Sequence, residues 1–175
     1  KIDKTVIGLH EYDNPKKAIK TAEALFVGGG NTFVLVDQLY KQDLNDELKA
    51  AIDSGTPYLG TSAGSNICGL TIGSSNDMPI AYPPSFQTLG VFPFNINPHY
   101  LDPEPDSTHM GEIRETRIQE FHHFNSQPVM GLREGSYLEI LGSKITLKGP
   151  LSARIFEKNK SPYELHSGAD VSNLN

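Results

Sequence analysis

Two short apolar runs that end in glycine constrain the fold of this chain more than any other feature. Residues 24–27 (Ala-Leu-Phe-Val) lead into three successive glycines, and residues 58–60 (Tyr-Leu-Gly) lead into a second turn of small residues. A helical pattern of apolar residues follows each turn. Short apolar strands that alternate with helices are typical of parallel sheets buried between helices. The sequence therefore predicts an α/β fold with a parallel central sheet.

The predicted elements change in kind along the chain. Helices are predicted at residues 63–70 and 112–124, and further strands at residues 5–9 and 91–96. The last part of the chain contains short strands joined by turns, at residues 129–132, 137–141, 145–147 and 153–156. Because hairpins pair strands in opposite directions, these strands predict an antiparallel extension of the sheet. The polar tail after Ser167 is expected to be disordered.

Composition narrows the class of protein. A chain of 175 residues fits a single domain, and its net charge of −6 without a basic run argues against a nucleic-acid surface. No apolar run approaches the roughly 20 residues that span a bilayer. The only cysteine, Cys68, is expected to be a buried apolar residue, and a lone thiol fits the reducing cytoplasm. Because a strand is predicted almost directly after Lys1, we expect an N-terminal part of the fold to be missing.

The strongest chemical motif is the pentapeptide at residues 60–64, Gly-Thr-Ser-Ala-Gly. Small residues on both sides of a serine allow the sharp strand-to-helix turn that exposes a nucleophilic hydroxyl. The predicted strand before Ser62 and the helix after it supply that context. The alternative is an ordinary glycine-rich turn.

A second glycine-rich turn, at residues 28–32 (Gly-Gly-Gly-Asn-Thr), also joins a strand to a helix. Its backbone N–H groups could bind a phosphate or an oxyanion. The turn lacks the spacing of a dinucleotide fingerprint and the lysine of a P-loop. Beside a nucleophilic serine, an oxyanion hole is the better interpretation.

A nucleophilic serine needs a base, and the base needs a carboxylate that orients it. Among the histidines, His99 lies at the end of a predicted strand, whereas His122 and His123 are expected to be solvated on a charged helix. Asp77 and Glu134 both lie in predicted turns, and the sequence does not choose between them. No spacing of histidines and carboxylates suggests zinc.

Several motifs taken together resemble the peptidase E (α-aspartyl dipeptidase) family of serine peptidases. They lie at residues 28–33, 60–66, 76–80 and 96–99, and segments 111–115 and 131–135 extend the match. The resemblance covers about residues 18 to 156 and keeps the motifs in order. It implies a three-layer sandwich similar to the class I glutamine amidotransferase fold.

The resemblance also implies a function and a set of site residues. We expect hydrolysis of dipeptides with an N-terminal aspartate, without a cofactor or metal. Ser62 would be the nucleophile and His99 the general base, with either Asp77 or Glu134 as the third member of the triad. The remaining site residues implied are the backbone N–H groups of Gly30 and Ala63, as the oxyanion hole.

Recognition of the substrate's aspartate needs a cation, and a guanidinium can hold a carboxylate bidentately. Arg114 and Arg117 are the candidates, unless both pair with glutamates of their own helix. The expected partners are small aspartyl peptides, with neither nucleic acid nor membrane, and a homodimer is compatible with the sequence. The rival interpretations are a cyanophycinase-like exopeptidase, an amidotransferase-like binding domain without catalysis, and a generic α/β-hydrolase esterase.

Overall fold

The computed structural model describes residues 5–103 and 112–175 of the chain. A 3-10 helix at Leu9–Glu11 precedes the regular elements. The α-helices are α1 (Pro15–Thr21), α2 (Thr32–Lys41), α3 (Asn45–Asp53), α4 (Ala63–Asn66) and α5 (Arg114–Phe124). The strands are β1 (Leu25–Val27), β2 (Tyr58–Gly60), β3 (Asn95–Pro98), β4 (Val129–Leu132), β5 (Tyr137–Leu141), β6 (Lys144–Lys148), β7 (Ala153–Phe156) and β8 (Tyr163–Leu165).

The first two helices begin where the sequence supplies a capping asparagine. The side chain of Asn14 accepts a hydrogen bond from the N–H of Lys17 at 3.0 Å, and proline occupies the first position of α1. The side chain of Asn31 accepts from the N–H of Val34 at 3.1 Å at the start of α2. Such caps satisfy backbone donors that have no partner inside the helix. For α2, the cap fixes the beginning of the helix directly after the glycine turn.

The strands form three separate sheets. β1 and β2 are parallel, with Phe26 opposite Leu59. A four-stranded sheet has the order β3-β4-β7-β8, in which β3 and β4 are parallel and the other pairs are antiparallel. β5 and β6 form an antiparallel hairpin. Parallel pairs and an antiparallel extension are therefore present, but the parallel pairs lie in two sheets.

Buried side chains form clusters on either side of these elements. One cluster packs α1, α2 and α3 around Val36, which is 0% exposed. A second lies around the four-stranded sheet and includes Leu147 and Val171. On one face of the parallel pair β1–β2, however, Phe26 and Leu59 are 55% and 53% exposed. This apolar face is uncovered in the structure.

Three predictions of local structure are wrong in whole or in part. Residues 5–8 have no regular structure, so the predicted strand at 5–9 is absent. The helix predicted at 63–70 ends at Asn66: the N–H groups of Cys68 and Gly69 bind carbonyls only three residues back, and the carbonyls of the residues after Asn66 accept hydrogen bonds from another segment. Leu89 N–H binds Ile67 at 2.9 Å and Val91 N–H binds Cys68 at 2.8 Å. Residues 91–94 lie outside the sheet, and the strand predicted at 91–96 begins only at Asn95.

The C-terminal tail is ordered, contrary to the prediction. Val171 is 2% exposed and belongs to the core cluster of the four-stranded sheet. Its N–H donates to the carbonyl of Ile145 at 2.9 Å, and the N–H of Leu147 donates to Ala169 at 3.0 Å. The tail therefore pairs with the edge of β6 and buries apolar surface there.

Within the described ranges, none of the helices has the length and apolar character needed to cross a membrane.

Candidate active site

Ser62 lies on a strained turn between β2 and α4. Its backbone dihedrals are φ 52° and ψ −111°, and positive φ is uncommon for a residue with a side chain. The glycines on either side of Ser62 are required because a side chain at either position would collide with backbone atoms. A Cβ at Gly60 would lie 2.4 Å from the carbonyl oxygen of Gly64, and one at Gly64 would lie 2.1 Å from that of Val27. The pentapeptide is thus a tight elbow packed against the end of β1.

The second glycine turn lies directly beside this serine. A Cβ at Gly29 would be 3.2 Å from Cβ and 3.6 Å from Oγ of Ser62, so only glycine leaves that space open. Gly30 adopts φ 144°, a conformation that favours glycine. Among the described residues, the N–H groups of Gly30 and Ala63 donate no hydrogen bond. Both are therefore available as donors near Ser62.

The imidazole of His99 contacts the carboxylate of Glu134. His99 follows β3 and has φ 55°, and its Nδ1 lies within hydrogen-bonding distance of Glu134 Oε1. Glu134 follows β4, the parallel neighbour of β3, so adjacent strand ends carry the two side chains. Between residues that the structure describes, no hydrogen bond joins His99 to Ser62, and the direct bond expected of a resting triad is absent.

A second ionic contact holds the same two strand ends together. The guanidinium of Arg133 donates to both carboxylate oxygens of Asp102, at 2.8 and 2.7 Å. It also donates to Glu164, at 2.8 and 3.0 Å, and these bonds lower the pKa of Glu164 to about 2. The sequence motif around 131–135 points to Glu134, but nothing in it indicates that Arg133 would be the anchor of this turn.

Asp77 contacts a different part of the site. Its Oδ2 accepts hydrogen bonds from the N–H of Thr32, at 2.7 Å, and from the Thr32 hydroxyl. Thr32 is the first residue of α2 and is 0% exposed. The structure thus brings Glu134, and not Asp77, to His99.

Two asparagines connect the loop before Asp77 to the strand before His99. Asn76 Nδ2 donates to Asn97 Oδ1 at 3.0 Å and to the carbonyl of Pro98 at 3.2 Å. The buried side chain of Asn97 in turn donates to the carbonyl of Ser74 at 2.8 Å. Asn76 and Asn97 lie within the motifs at residues 76–80 and 96–99, and no local pattern in the sequence predicts a hydrogen bond between them.

The two candidate arginines differ in their contacts. Arg117 pairs with Glu112 at 3.5 Å, as the alternative of pairing along the helix anticipates. Arg114 has no ionic or hydrogen-bond partner among the described residues. Burial and the neighbouring guanidinium of Arg117 lower the pKa of Arg114, while the carboxylate of Asp77 opposes that shift. Arg114 is therefore a half-buried cation close to Asp77.

The remaining predictions concern single residues. Cys68 is buried, as expected, and burial raises the pKa of its thiol to about 12. His123 is exposed, but His122 is only 8% exposed and its Nε2 binds the carbonyl of Gln127 at 3.0 Å. The prediction of a solvated His122 is wrong because this side chain falls on the buried face of α5. Gly111, which begins the motif segment 111–115, lies outside the residues that the structure describes.

Over the parts of the chain that the structure describes, no group of three or more histidine, cysteine, aspartate or glutamate side chains has the arrangement of a metal site.

An α/β fold with a serine on a strained strand-to-helix turn defines a class of hydrolase-like proteins. Within that class, the model of peptidase family S51 matches residues 1–148. This chain belongs to peptidase family S51.

Similar proteins agree with this assignment. A peptidase E from Streptomyces coelicolor is 50% identical over 97% of this chain and 70% of its own length. A probable alpha-aspartyl dipeptidase from Drosophila melanogaster is 46% identical over 97% of this chain and 71% of its own. The chain thus spans about 70% of the length of the curated relatives it matches.

A solved structure shares the fold. The crystal structure of a peptidase from an acI-B1 Actinobacterium aligns with a TM-score of 0.65, at 19% identity, over 90% of this chain and 63% of that one.

Proposed function

We propose that this chain is the catalytic part of a serine dipeptidase that hydrolyses dipeptides with an N-terminal aspartate. The observation that carries the proposal is the backbone of Ser62, which is held at positive φ, together with the N–H groups of Gly30 and Ala63, which donate no hydrogen bond to any residue that the structure describes. Strained backbone at a nucleophile is typical of catalytic sites. The printed names of the relatives supply the substrate class.

His99 and Glu134 would activate the serine. With Nδ1 held by the Glu134 carboxylate, Nε2 is the ring nitrogen left to accept a proton. The contact favours Glu134 over Asp77 as the third member of the triad. The hydrogen bond from Ser62 Oγ to Nε2 would form when substrate closes the site, because catalytic hydrogen bonds often shorten only in the complex.

The reaction would then follow in two steps. Ser62 Oγ attacks the peptide carbonyl carbon as its proton moves to His99, and the oxyanion is bound by the N–H groups of Gly30 and Ala63. The protonated imidazole gives its proton to the leaving amine, which breaks the C–N bond and leaves an acyl-enzyme. Water, deprotonated by His99, then releases aspartate and restores Ser62. One oxyanion donor contributes roughly 3–4 kcal/mol to such a transition state.

Arg114 is the better of the two candidates for the aspartate side chain. Arg117 already has a carboxylate partner, whereas Arg114 is half-buried and unpaired within the described residues. A buried cation without a partner is costly, so a substrate carboxylate that pairs with it would be bound strongly. Glu115, the next residue, is held by Arg154 at 3.2 Å, which fixes this end of α5 on the sheet.

The finer features of the fold are also proposals. We propose one domain in which β1–β2 and β3–β4 belong to a single, mostly parallel sheet of the amidotransferase-like type. The uncovered apolar face around Phe26 and Leu59 supports a further layer there, which would make the three-layer sandwich. We propose that the protein acts in the cytoplasm on small aspartyl peptides. We also propose that it can form a homodimer, which light scattering of the purified protein would test.

The decisive experiment compares Ser62→Ala with wild type on Asp-Leu, Asn-Leu and Glu-Leu. We expect wild type to cleave Asp-Leu best and Ser62→Ala to lose at least about 10³-fold in kcat, as nucleophile removal does in other triads. Ser126→Ala is the matched control, because this serine is exposed on a turn and makes no hydrogen bond with the described residues. Undiminished turnover by folded Ser62→Ala would exclude the serine mechanism.

A further inference from the structure

The carboxylate of Asp77 makes contacts that the proposed reaction does not use. It binds both the backbone N–H and the hydroxyl of Thr32, a residue 45 positions earlier in the chain. The N–H at the start of a helix normally binds a local capping side chain or water. Here a distant loop supplies the acceptor, so the bond fixes the position of that loop relative to α2.

Thr32 is close in sequence to one of the proposed oxyanion donors. Gly30 precedes it by two residues and has φ 144°, a backbone conformation that favours glycine. A glycine turn of this kind has wide backbone freedom. Fixing Thr32 therefore limits where the N–H of Gly30 can point.

The same contacts reach the other proposed donor. Asn66 Nδ2 donates to the Thr32 hydroxyl at 3.0 Å, and Asn66 is 6% exposed. Asn66 is the last residue of α4, the helix whose first residue is Ala63. Ser75 adds a second connection, since its hydroxyl accepts from Asn66 at 3.4 Å and from the Asp77 N–H at 3.2 Å. A continuous, partly buried chain of hydrogen bonds thus joins the two segments.

On the basis of the proposed function, we propose that Asp77 is a positioning residue that sets the distance between the two oxyanion donors, the N–H groups of Gly30 and Ala63, through Thr32 and Asn66. An ionised acceptor suits this task because charge-assisted hydrogen bonds are shorter and stronger than neutral ones. Asp77 would act on the transition state without touching the substrate or His99.

The test compares two substitutions of Asp77 on Asp-p-nitroanilide. Asp77→Ala removes the acceptor, and we expect kcat to fall by about 10²-fold with KM within about threefold, because one donor moves out of place. Asp77→Asn keeps an acceptor oxygen, so kcat should recover to within about tenfold of wild type. An orienting triad acid behaves differently, since its amide substitution costs about 10⁴-fold.

Two further variants complete the set. Thr32→Val deletes the hydroxyl that connects Asp77 to Asn66 but keeps the bond from the Thr32 N–H to Asp77, so it should lower kcat by less than Asp77→Ala does. Asp53→Ala removes an exposed carboxylate far along α3 and should leave kcat unchanged. Thermal melts identify any variant that fails to fold. The kinetic constants of the variants that do fold then test whether Asp77 is a positioning residue.

Three outcomes would overturn the inference. Asp77→Ala could retain wild-type kcat. Asp77→Asn could be as damaging as Glu134→Gln, which would make Asp77 a triad member. KM could rise while kcat stays constant, which would assign Asp77 to substrate binding. Failure of the proposed function itself would be separate, because it would appear as activity that survives Ser62→Ala.

Discussion

The elbow at Ser62 predicts that alanine substitutions at two neighbouring glycines will have opposite effects on stability. Gly64→Ala places a methyl group 2.1 Å from the carbonyl oxygen of Val27 and 2.8 Å from its carbonyl carbon. Gly28→Ala places one only against the ring of Phe26, at 3.8 Å. A methyl group at position 64 would collide with backbone atoms, whereas one at position 28 would make ordinary van der Waals contacts.

The size of the Gly64→Ala effect follows from that distance. The new contact is more than 1 Å shorter than the closest ordinary carbon–oxygen approach of about 3.3 Å. Backbone atoms of a paired strand cannot rotate aside, so β1 and α4 must separate. Separation would also break the bonds from Gly64 N–H to Gly28 and from Thr61 N–H to Val27, now 3.3 and 3.1 Å long. We expect a loss of about 4 kcal/mol, in the range of severe core substitutions.

At Gly28, by contrast, alanine reduces the conformational freedom of the unfolded chain and should stabilise by about 0.5 kcal/mol. For a chain of this size, 1 kcal/mol corresponds to about 2–4 °C in Tm, so Gly64→Ala should melt roughly 8–16 °C lower than wild type. Urea melts of the three proteins at constant m-value measure both effects. Equal stability of Gly64→Ala and wild type would refute the contact argument, and so would equal losses at the two sites.

The remaining predictions concern the catalytic and ionic contacts. Glu134→Gln should lower kcat by about 10³- to 10⁴-fold, because His99 loses the carboxylate that orients its imidazole; steady-state kinetics on Asp-Leu measure the loss. Arg114→Ala should abolish the preference for Asp-Leu over Asn-Leu, worth about 10- to 100-fold in kcat/KM, whereas Arg117→Ala should keep it. Because the folded pKa of Glu164 is about 2, below its unfolded value, its ion pair stabilises the protein above about pH 4.3 and is lost as pH falls towards 2. Melts between pH 2 and 6 should therefore show a steeper acid loss in wild type than in Glu164→Gln.

The elements that the sequence predicted well are those whose local pattern and tertiary contacts agree. The strands β1, β2, β4, β5 and β7 and the helix α5 begin and end close to their predicted positions. The predictions of secondary structure are wrong where backbone N–H and C=O groups form hydrogen bonds with a segment distant in the sequence. The helix after Ser62 ends at Asn66, and residues 88–91 bind the carbonyls of residues 67–70 in place of a further helical turn; no local pattern predicts that contact.

The site divides in a similar way. The sequence indicated Ser62, His99 and the glycine turn, because strand ends and small residues are visible as motifs. It left Asp77 and Glu134 undecided, since both are turn acids and only the fold shows that one contacts Thr32 and the other His99. Arg133 was missed for the same reason. Its partners, Asp102 and Glu164, lie 31 residues away in either direction.

The backbone strain at Ser62 and His99 indicates how the rest of the molecule holds the site. Each of these residues has positive φ, which costs on the order of 1–3 kcal/mol unless neighbouring contacts impose it. The residue after each one is buried: Ala63 is 1% exposed and Tyr100 is 2% exposed. The ring of Tyr100 lies so close to Gly131 that a Cβ there would be 2.7 Å from it. Because the core fixes Tyr100 in this way, the chain must turn at His99, and its imidazole is directed outward to Glu134.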